Sequence, residues 1–262
     1  MNAPMTNLRW LYDAISSRGL DFIMLFLAVT LGFVAENYRE NQVIAANLQQ
    51  NYSAMLKELA KDREQIDRIH RPHVKRGRAL MELEHALYSY QNGQITYDSL
   101  VEAVLDLDTV PSYTTVFINN ATYKSIQSMG YMAAIPDAEL KLVLTNYYET
   151  MTKRLEDNNV LFDQEGATFF NEKMPVLKEP WLRDDEDLGV YGHPTDTAFN
   201  DLKTYQRWVL TRPQAKAYMS TVRAIHDVET YRLRYLVYCL SVAQMHSENM
   251  KLTEFLEKAH LD

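Results

Sequence analysis

One cysteine, Cys239, is all the chain carries in 262 residues, so an intrachain disulfide is excluded and cysteine usage says nothing about the compartment. Glycine and proline are scarce, at eight each, which leaves little material for tight turns and long loops. Alternating Val–Thr runs are rare as well, so an all-α chain is expected. A basic excess is missing. The formal net charge of -8 argues against nucleic acid as the main partner. There is no glycine-rich phosphate loop, no Gly-x-Ser-x-Gly elbow and no Cys-x-x-Cys pair. Only one long uncharged apolar run is present.

That run is Phe22 to Ala35, FIMLFLAVTLGFVA. Its fourteen residues span about 21 Å as a helix, short of the ~30 Å hydrocarbon core. Leu20 and Asp21 extend it, and Trp10, Tyr12 and Tyr38 flank it as interfacial aromatics do. A signal peptide cut after Ala35 would place Phe33 where a small residue is wanted. The reading is therefore a retained transmembrane anchor over 20–38, in preference to a cleaved signal or a buried soluble helix. Arg9 and Arg18 precede the run and Arg39 follows beside Glu36 and Glu40. The positive-inside rule then favours a cytoplasmic N-terminus and a periplasmic bulk. Ala28, Gly32 and Ala35 form a small-residue line through which membrane helices pack closely.

Residues 1–19 are a lead-in whose Leu8, Trp10, Leu11 and Ile15 suit an interfacial helix. Residues 39–262 form the extramembrane domain. Leu48, Tyr52, Met55, Leu59, Ile66 and Ile69 follow alternating three- and four-residue steps with Asp62 as a polar break. The steps resume at Leu80, Leu83 and Leu87, and the helix is expected to kink or stop at His70-Arg71-Pro72. Gln91-Asn92-Gly93 reads as a stop. Further helices are expected over Ser99–Leu107, Asn119–Met129, from Pro136-Asp137 to about Glu172, over Asp201–Leu210, and from Pro213 to near Leu256. A turn is expected from Thr109 to Phe117, and irregular structure from Met174 to Asn200. Of Tyr147 and Tyr148, one ring is expected inward and one at the surface. The last helix carries an apolar stripe of Val222, Ile225, Leu236, Cys239 and Ala243, with Tyr231, Tyr235 and Tyr238 alongside.

Three groups of residues invite chemistry. Glu82-x-x-His85 and Glu257-x-x-His260 have the spacing of di-iron helical bundles, and Glu149, Glu156 and Glu165 are available as further ligands. Glu82 and His85 fall beside the apolar face, however, and His260 sits at a fraying end. Arg68, Arg71, Lys75, Arg76 and Arg78, with His70 and His73, make a basic segment that suits an anion or an acidic partner. A His70/His73 metal pair lacks further matched ligands. The acidic run Asp184-Asp185-Glu186-Asp187 lacks the alternation of a calcium loop. Cys239 reads as packing rather than as a nucleophile.

Two segments resemble an uncharacterised family of single-span bacterial membrane proteins common in Bacteroidetes. The first is the anchor running into Ala35-Glu36-Asn37-Tyr38-Arg39-Glu40. The second is Ala121-Thr122-Tyr123-Lys124-Ser125-Ile126, continuing through Ser128, Gly130, Ile135-Pro136-Asp137, Glu139-Leu140 and Asn146-Tyr147-Tyr148. Family members more often have Trp at position 38 and two serines at 128–129. The resemblance implies a bacterial inner-membrane setting and no activity.

Together these features give an all-α chain whose single N-terminal transmembrane helix continues into a long-helix antiparallel bundle. The expected role is non-catalytic, structural or in assembly, without a cofactor. The expected partners are the lipid bilayer, further copies of the chain or other membrane subunits. A periplasmic sensor or ligand-binding module on segment 68–78 is the second reading, and a metalloenzyme on the Glu-x-x-His motifs the third.

Overall fold

The computed structural model describes residues 6–107, 115–174 and 202–261. Their secondary structure is entirely helical, with no strand among the described residues. The expected turn from Thr109 and the acidic run Asp184–Asp187 lie outside them, apart from the tail of the turn at 115–117.

Helix α1 runs without interruption over Thr6–Gln91, 86 residues, on the order of 130 Å at ~1.5 Å per residue. It therefore includes the lead-in from Thr6 onward, the apolar run and the first domain helix. Of the kink or stop expected at His70-Arg71-Pro72, the stop does not occur, because Pro72 lies inside α1. Proline deletes one N–H and crowds the carbonyl four residues back. Pro72 and Arg68 are both exposed, so the disrupted turn lies on the solvent side, while Ile69 and His73 on the inner face stay buried. The helix ends where expected. Asn92 N–H donates to Tyr88 O at 3.1 Å and Gln94 N–H to Ser89 O at 2.8 Å, and Gly93 takes φ +69°.

Helix α2 (Tyr97–Asp106) starts at Thr96, whose hydroxyl accepts from Ser99 N–H at 3.2 Å. Helix α3 (Ala121–Ser128) is closed by Gly130 at φ +74°, followed by a 3₁₀ turn, Tyr131–Ala134. Asp137 caps α4 (Ala138–Thr145) by accepting from Glu139 N–H at 2.8 Å and Leu140 N–H at 3.2 Å. The chain then stays helical to Lys173, passing through a π segment (Asn146–Met151), α5 (Thr152–Thr168) and a second π segment (Phe169–Lys173). Helix α6 covers Leu202–Leu210, α7 Pro213–Met219 and α8 Val222–Leu261.

The expected single helix from Pro213 is thus two. Ser220 and Thr221 break it by turning their hydroxyls onto the backbone. Ser220 Oγ donates to Lys216 O at 2.9 Å, and Thr221 Oγ1 donates to Tyr218 O at 2.6 Å and faces Ala224 N–H at 3.3 Å. Gln91, at the far end of α1, donates to the freed carbonyls of Met219 at 3.1 Å and Thr221 at 2.8 Å.

Helices α1 and α8 lie along each other with their numbering running in opposite senses. Gln49 donates to Ala259 O at 3.0 Å, Arg63 to Asn249 Oδ1 at 3.2 Å, and Gln91 meets Thr221 at the other end. The buried positions of α1 are Leu48, Tyr52, Met55, Leu59, Asp62, Ile66, Ile69, His73, Arg76, Leu80, Leu83 and Leu87. They form an unbroken series of three- and four-residue steps that passes straight through Pro72. On α8 the series is Tyr231, Tyr235, Tyr238, Val242, Met245, Asn249, Leu252 and Leu256. Of the α8 stripe expected from sequence, Ile225 is buried and Cys239 half-buried, but the rest is displaced. The tyrosines form the inner face, whereas Leu236 is 49% exposed and Val222 76%. Three rings bury more apolar area than the competing leucines, and they settle which face turns inward.

Tyr147 and Tyr148 are both buried, against the expectation of one surface ring. In the π segment the backbone bonds reach five residues, and Thr152 N–H and Oγ1 both point to Tyr147 O. The wider turn puts neighbouring residues on the same face. Phe169 and Phe170, in the second π segment, are likewise both buried.

Candidate functional site

The seam between α1, α5 and α8 is apolar except at two levels, and these are the candidate sites. The first level is built on Asp62, 4% exposed. The extended strap 115–120 crosses α1 here and has its backbone held by side chains. Asn119 N–H donates to Asp62 Oδ1 at 3.2 Å, Phe117 N–H to Gln65 Oε1 at 3.2 Å, and Asn159 Nδ2 to Val116 O at 2.8 Å. One turn before Asp62, Glu58 Oε1 accepts from Thr122 Oγ1 at 2.7 Å. Behind them Asn249 Nδ2 donates to Leu59 O and faces Tyr147 Oη, each at 3.1 Å. The Tyr148 ring stacks on Tyr123 with centroids 4.6 Å apart, and Tyr123 Oη donates to Glu149 at 2.7 Å.

Asp62 Oδ2, Glu58 Oε2 and Tyr148 Oη are buried without a hydrogen-bond partner. Burial pushes the Asp62 carboxyl up to about 6, the Asn119 N–H opposing and the Glu58 charge adding to the shift. Burial also raises the Tyr147 and Tyr148 hydroxyls, with the nearby carboxylates contributing, so both phenols remain protonated. Burial therefore favours the protonated Asp62 carboxyl up to about pH 6. Asp62 and Gln65, with Lys61, Arg68, Phe117 and Asn119, line an outer groove of about 430 Å³.

The second level lies across Pro72. His73 Nδ1 bonds the Tyr235 hydroxyl, and the imidazole sits edge-on to Phe162 and Tyr238 with centroids 5.6 and 5.3 Å away. Phe162 stacks on Tyr238 at 4.3 Å, and Tyr238 Oη accepts from Val116 N–H at 3.1 Å. Arg76 is buried beside Tyr235, and its charge opposes the rise that burial imposes on that phenol. A Cβ on Gly77 would lie 3.6 Å from the Tyr235 ring, ordinary contact.

The five cations of the basic segment consequently separate. Arg68, Arg71, Lys75 and Arg78 form one exposed line at three- and four-residue steps, whereas Arg76 turns into the seam. The four Glu-x-x-His residues are all exposed. Glu82 and His85 lie near the α7–α8 end of the seam, while His260 sits 3.0 Å from Gln49 near its other end. Of their possible partners, Glu149 is engaged by Tyr123 and Gln127, and Glu165 by Lys173 at 2.5 Å. No group of three or more His, Cys, Asp or Glu among the described residues is placed to hold a metal ion. Cys239 is half-buried, and burial pushes its thiol up to about 11. Ala28, Gly32 and Ala35 are exposed, and a Cβ on Gly32 would meet nothing within 4 Å.

Sequence reasoning reached Asp62 as a break in the stripe but gave it no role. The signal was there: with His73 and Arg76, Asp62 occupies the heptad positions that complete the series across Pro72. No family model, curated protein or solved structure matches the chain.

Proposed function

We propose that the chain is a non-catalytic, membrane-anchored helical protein with a structural or assembly role, its domain an antiparallel bundle held above the bilayer by α1. The observation that carries this reading is the continuity of α1. One helix contains both a stretch apolar and long enough to cross a membrane, with no side chain covered by the chain, and the whole inner seam of the domain. A stiff helix shared by anchor and domain fixes the domain's height and orientation relative to the membrane. The charge bias of Arg9 and Arg18 over Arg39 supports a cytoplasmic N-terminus and a periplasmic domain, and the family resemblance supports a bacterial inner membrane. Its partners are then other membrane helices or further copies, with Ala28, Gly32 and Ala35 as the contact within the bilayer.

The test is fractionation together with a reporter. An alkaline phosphatase fused after Asp262 is expected to be active, and the chain is expected to stay in the membrane fraction in high salt. Release by salt alone would remove the anchor, and an inactive phosphatase with an active cytoplasmic reporter would invert the topology. Gly32→Leu is expected to insert normally and to weaken association within the bilayer, read by detergent sizing.

One observation favours a second reading. Arg68, Arg71, Lys75 and Arg78 line up on one exposed face beside the groove at Asp62. An anionic ligand or acidic partner docking there would make the domain a sensor. Charge reversal at Arg71 and Lys75 that leaves every co-purifying partner in place would count against it.

A further inference from the structure

Asp62 is 4% exposed, yet it lines the groove of about 430 Å³ on the outer side of α1. Its Oδ1 accepts from Asn119 N–H, and its Oδ2 is buried with no hydrogen-bond partner. Burial lifts the carboxyl only to about 6, so at pH 7.5 the group is ionised. Arg63, the next residue on α1, does not neutralise it, being committed to Asn249 Oδ1 at 3.2 Å and Thr253 Oγ1 at 3.0 Å. A buried carboxylate with an open oxygen is costly until a cation or a donor meets it.

The rim of the groove has the opposite need. Lys61, Glu64 and Arg68 are exposed there, two cations against one carboxylate, so one positive charge remains at the mouth. The remaining wall is apolar. Phe117 N–H is pinned to Gln65 Oε1 at 3.2 Å, which leaves the Phe117 ring 67% exposed on the strap beside the half-buried Ile118.

We propose that this groove binds a free amino acid with an apolar side chain. Its ammonium meets Asp62, its carboxylate turns to Arg68 and Lys61, and its side chain lies on Phe117 and Ile118. The inference deepens the sensor reading above and rests on it; it does not need the anchor. A plain anion would satisfy the rim but bring a second negative charge to the buried carboxylate. A plain amine would satisfy Asp62 but meet the excess positive charge at the mouth. One molecule carrying both charges answers both ends. Among the described residues no three His, Cys, Asp or Glu side chains gather to hold a metal ion, so the cation is an ammonium. Arg68 lies six residues along α1 from Asp62, about 9 Å of rise, which the ligand and the long arginine side chain bridge together. The volume is at the small end of the ~300–1,000 Å³ typical of ligand pockets, which suits one amino acid.

The experiment is thermal unfolding of the full chain in mild detergent at about pH 7.5. The probes are L-leucine, L-phenylalanine and the two halves of leucine, isoamylamine and isocaproate, each at about 10 mM. Leucine or phenylalanine is expected to raise the midpoint by about 3 °C, as a ligand at roughly ten times its Kd does. Each half is expected to give less than about 1 °C. Asp62→Asn and Arg68→Gln are each expected to abolish the amino-acid shift, and Arg71→Gln/Lys75→Gln to keep it. Arg68 is exposed, so Arg68→Gln carries the test even where Asp62→Asn alters the fold. No shift with either amino acid overturns the proposal, as does a shift that survives both Asp62→Asn and Arg68→Gln. Isoamylamine acting as strongly as leucine removes the rim cations from the site and overturns it too. A shift from isocaproate alone, lost in Arg71→Gln/Lys75→Gln, overturns the amino-acid site and keeps the anionic-ligand sensor. The expected pattern, with Arg71→Gln/Lys75→Gln silent, keeps the site and takes the open basic line out of the sensor.

Discussion

Along α1, residues 22–43 are exposed on every side, whereas from Leu48 to Leu87 every third or fourth side chain is buried. Both stretches are rich in Leu, Ile, Val and Met, and both are uninterrupted helix. They differ in where the charges fall. Phe22 to Ala35 has none, so it has no face fit for water and needs an apolar surrounding from outside the chain. Between Leu48 and Leu87 the charges fill the outer positions, so one stripe suffices and the chain's own helices cover it. Hydrophobic content alone would not separate the two; the presence or absence of a period does.

The largest expected effect breaks the lower stretch alone. Leu25→Arg with Leu31→Arg places two charges in the apolar stretch, and on the proposed anchoring each costs about 2.5–3.5 kcal/mol near the helix centre. The chain is expected to move to the soluble or aggregated fraction. The thermal midpoint of the upper bundle, read by circular dichroism, is expected to stay within a degree or two of wild type. A midpoint that falls with membrane retention would mean that the two stretches are one cooperative unit.

Next comes the upper stretch. Leu59 and Leu83 are fully buried. Leu59→Ala or Leu83→Ala is expected to cost about 2–5 kcal/mol, by transfer and cavity terms together. Leu27→Ala, on the uncovered stretch, is expected to leave bundle stability within about 0.5 kcal/mol. Urea midpoints on the three variants check this, and a similar loss in Leu27→Ala would show that residues 22–43 are packed against protein.

The third test concerns Pro72, which the seam passes without a break in register. Pro72→Ala restores one backbone bond and removes a clash, so a gain of up to about 3 kcal/mol is expected. A destabilised Pro72→Ala chain would mean that the bundle depends on a bend at this point.

Pro72 also marks where sequence reading fell short. Helix existence, the stop at Gly93 and the helix start at Asp137 were legible, because each depends on local chemistry. The continuity through Pro72 was not, since it is decided by tertiary packing on both sides of the residue. Nor were the two π segments, which put Tyr147 and Tyr148, and Phe169 and Phe170, on one face. A period of 3.6 assigns neighbours to different faces, so no pattern search built on it finds them. The inner face of α8 was misplaced for a related reason. Leucines and tyrosines compete there at interleaved heptad positions, and the larger apolar area of the three rings turns their face inward.

The smallest expected effect distinguishes the polar level of the upper stretch from the apolar seam around it. Asp62 ordinarily would titrate near 3.8, and burial lifts it to about 6. The folded chain therefore binds this proton more tightly than the unfolded chain does. Between those two values ν is larger in the folded state, so stability falls as pH rises. The contribution is fully present below the unfolded value and is lost as pH passes through about 6, with a slope of at most about 1.4 kcal/mol per pH unit. Asp62→Asn removes the titration and keeps an oxygen to accept from Asn119 N–H. Urea midpoints at pH 5 and pH 7.5 are expected to differ less in the variant than in wild type. The variant is expected to exceed wild type modestly at pH 5, where Asp62 is ionised in the unfolded chain, and by more at pH 7.5, where wild type carries a buried charge. Equal pH dependence in the two chains would move the proton to a group other than Asp62.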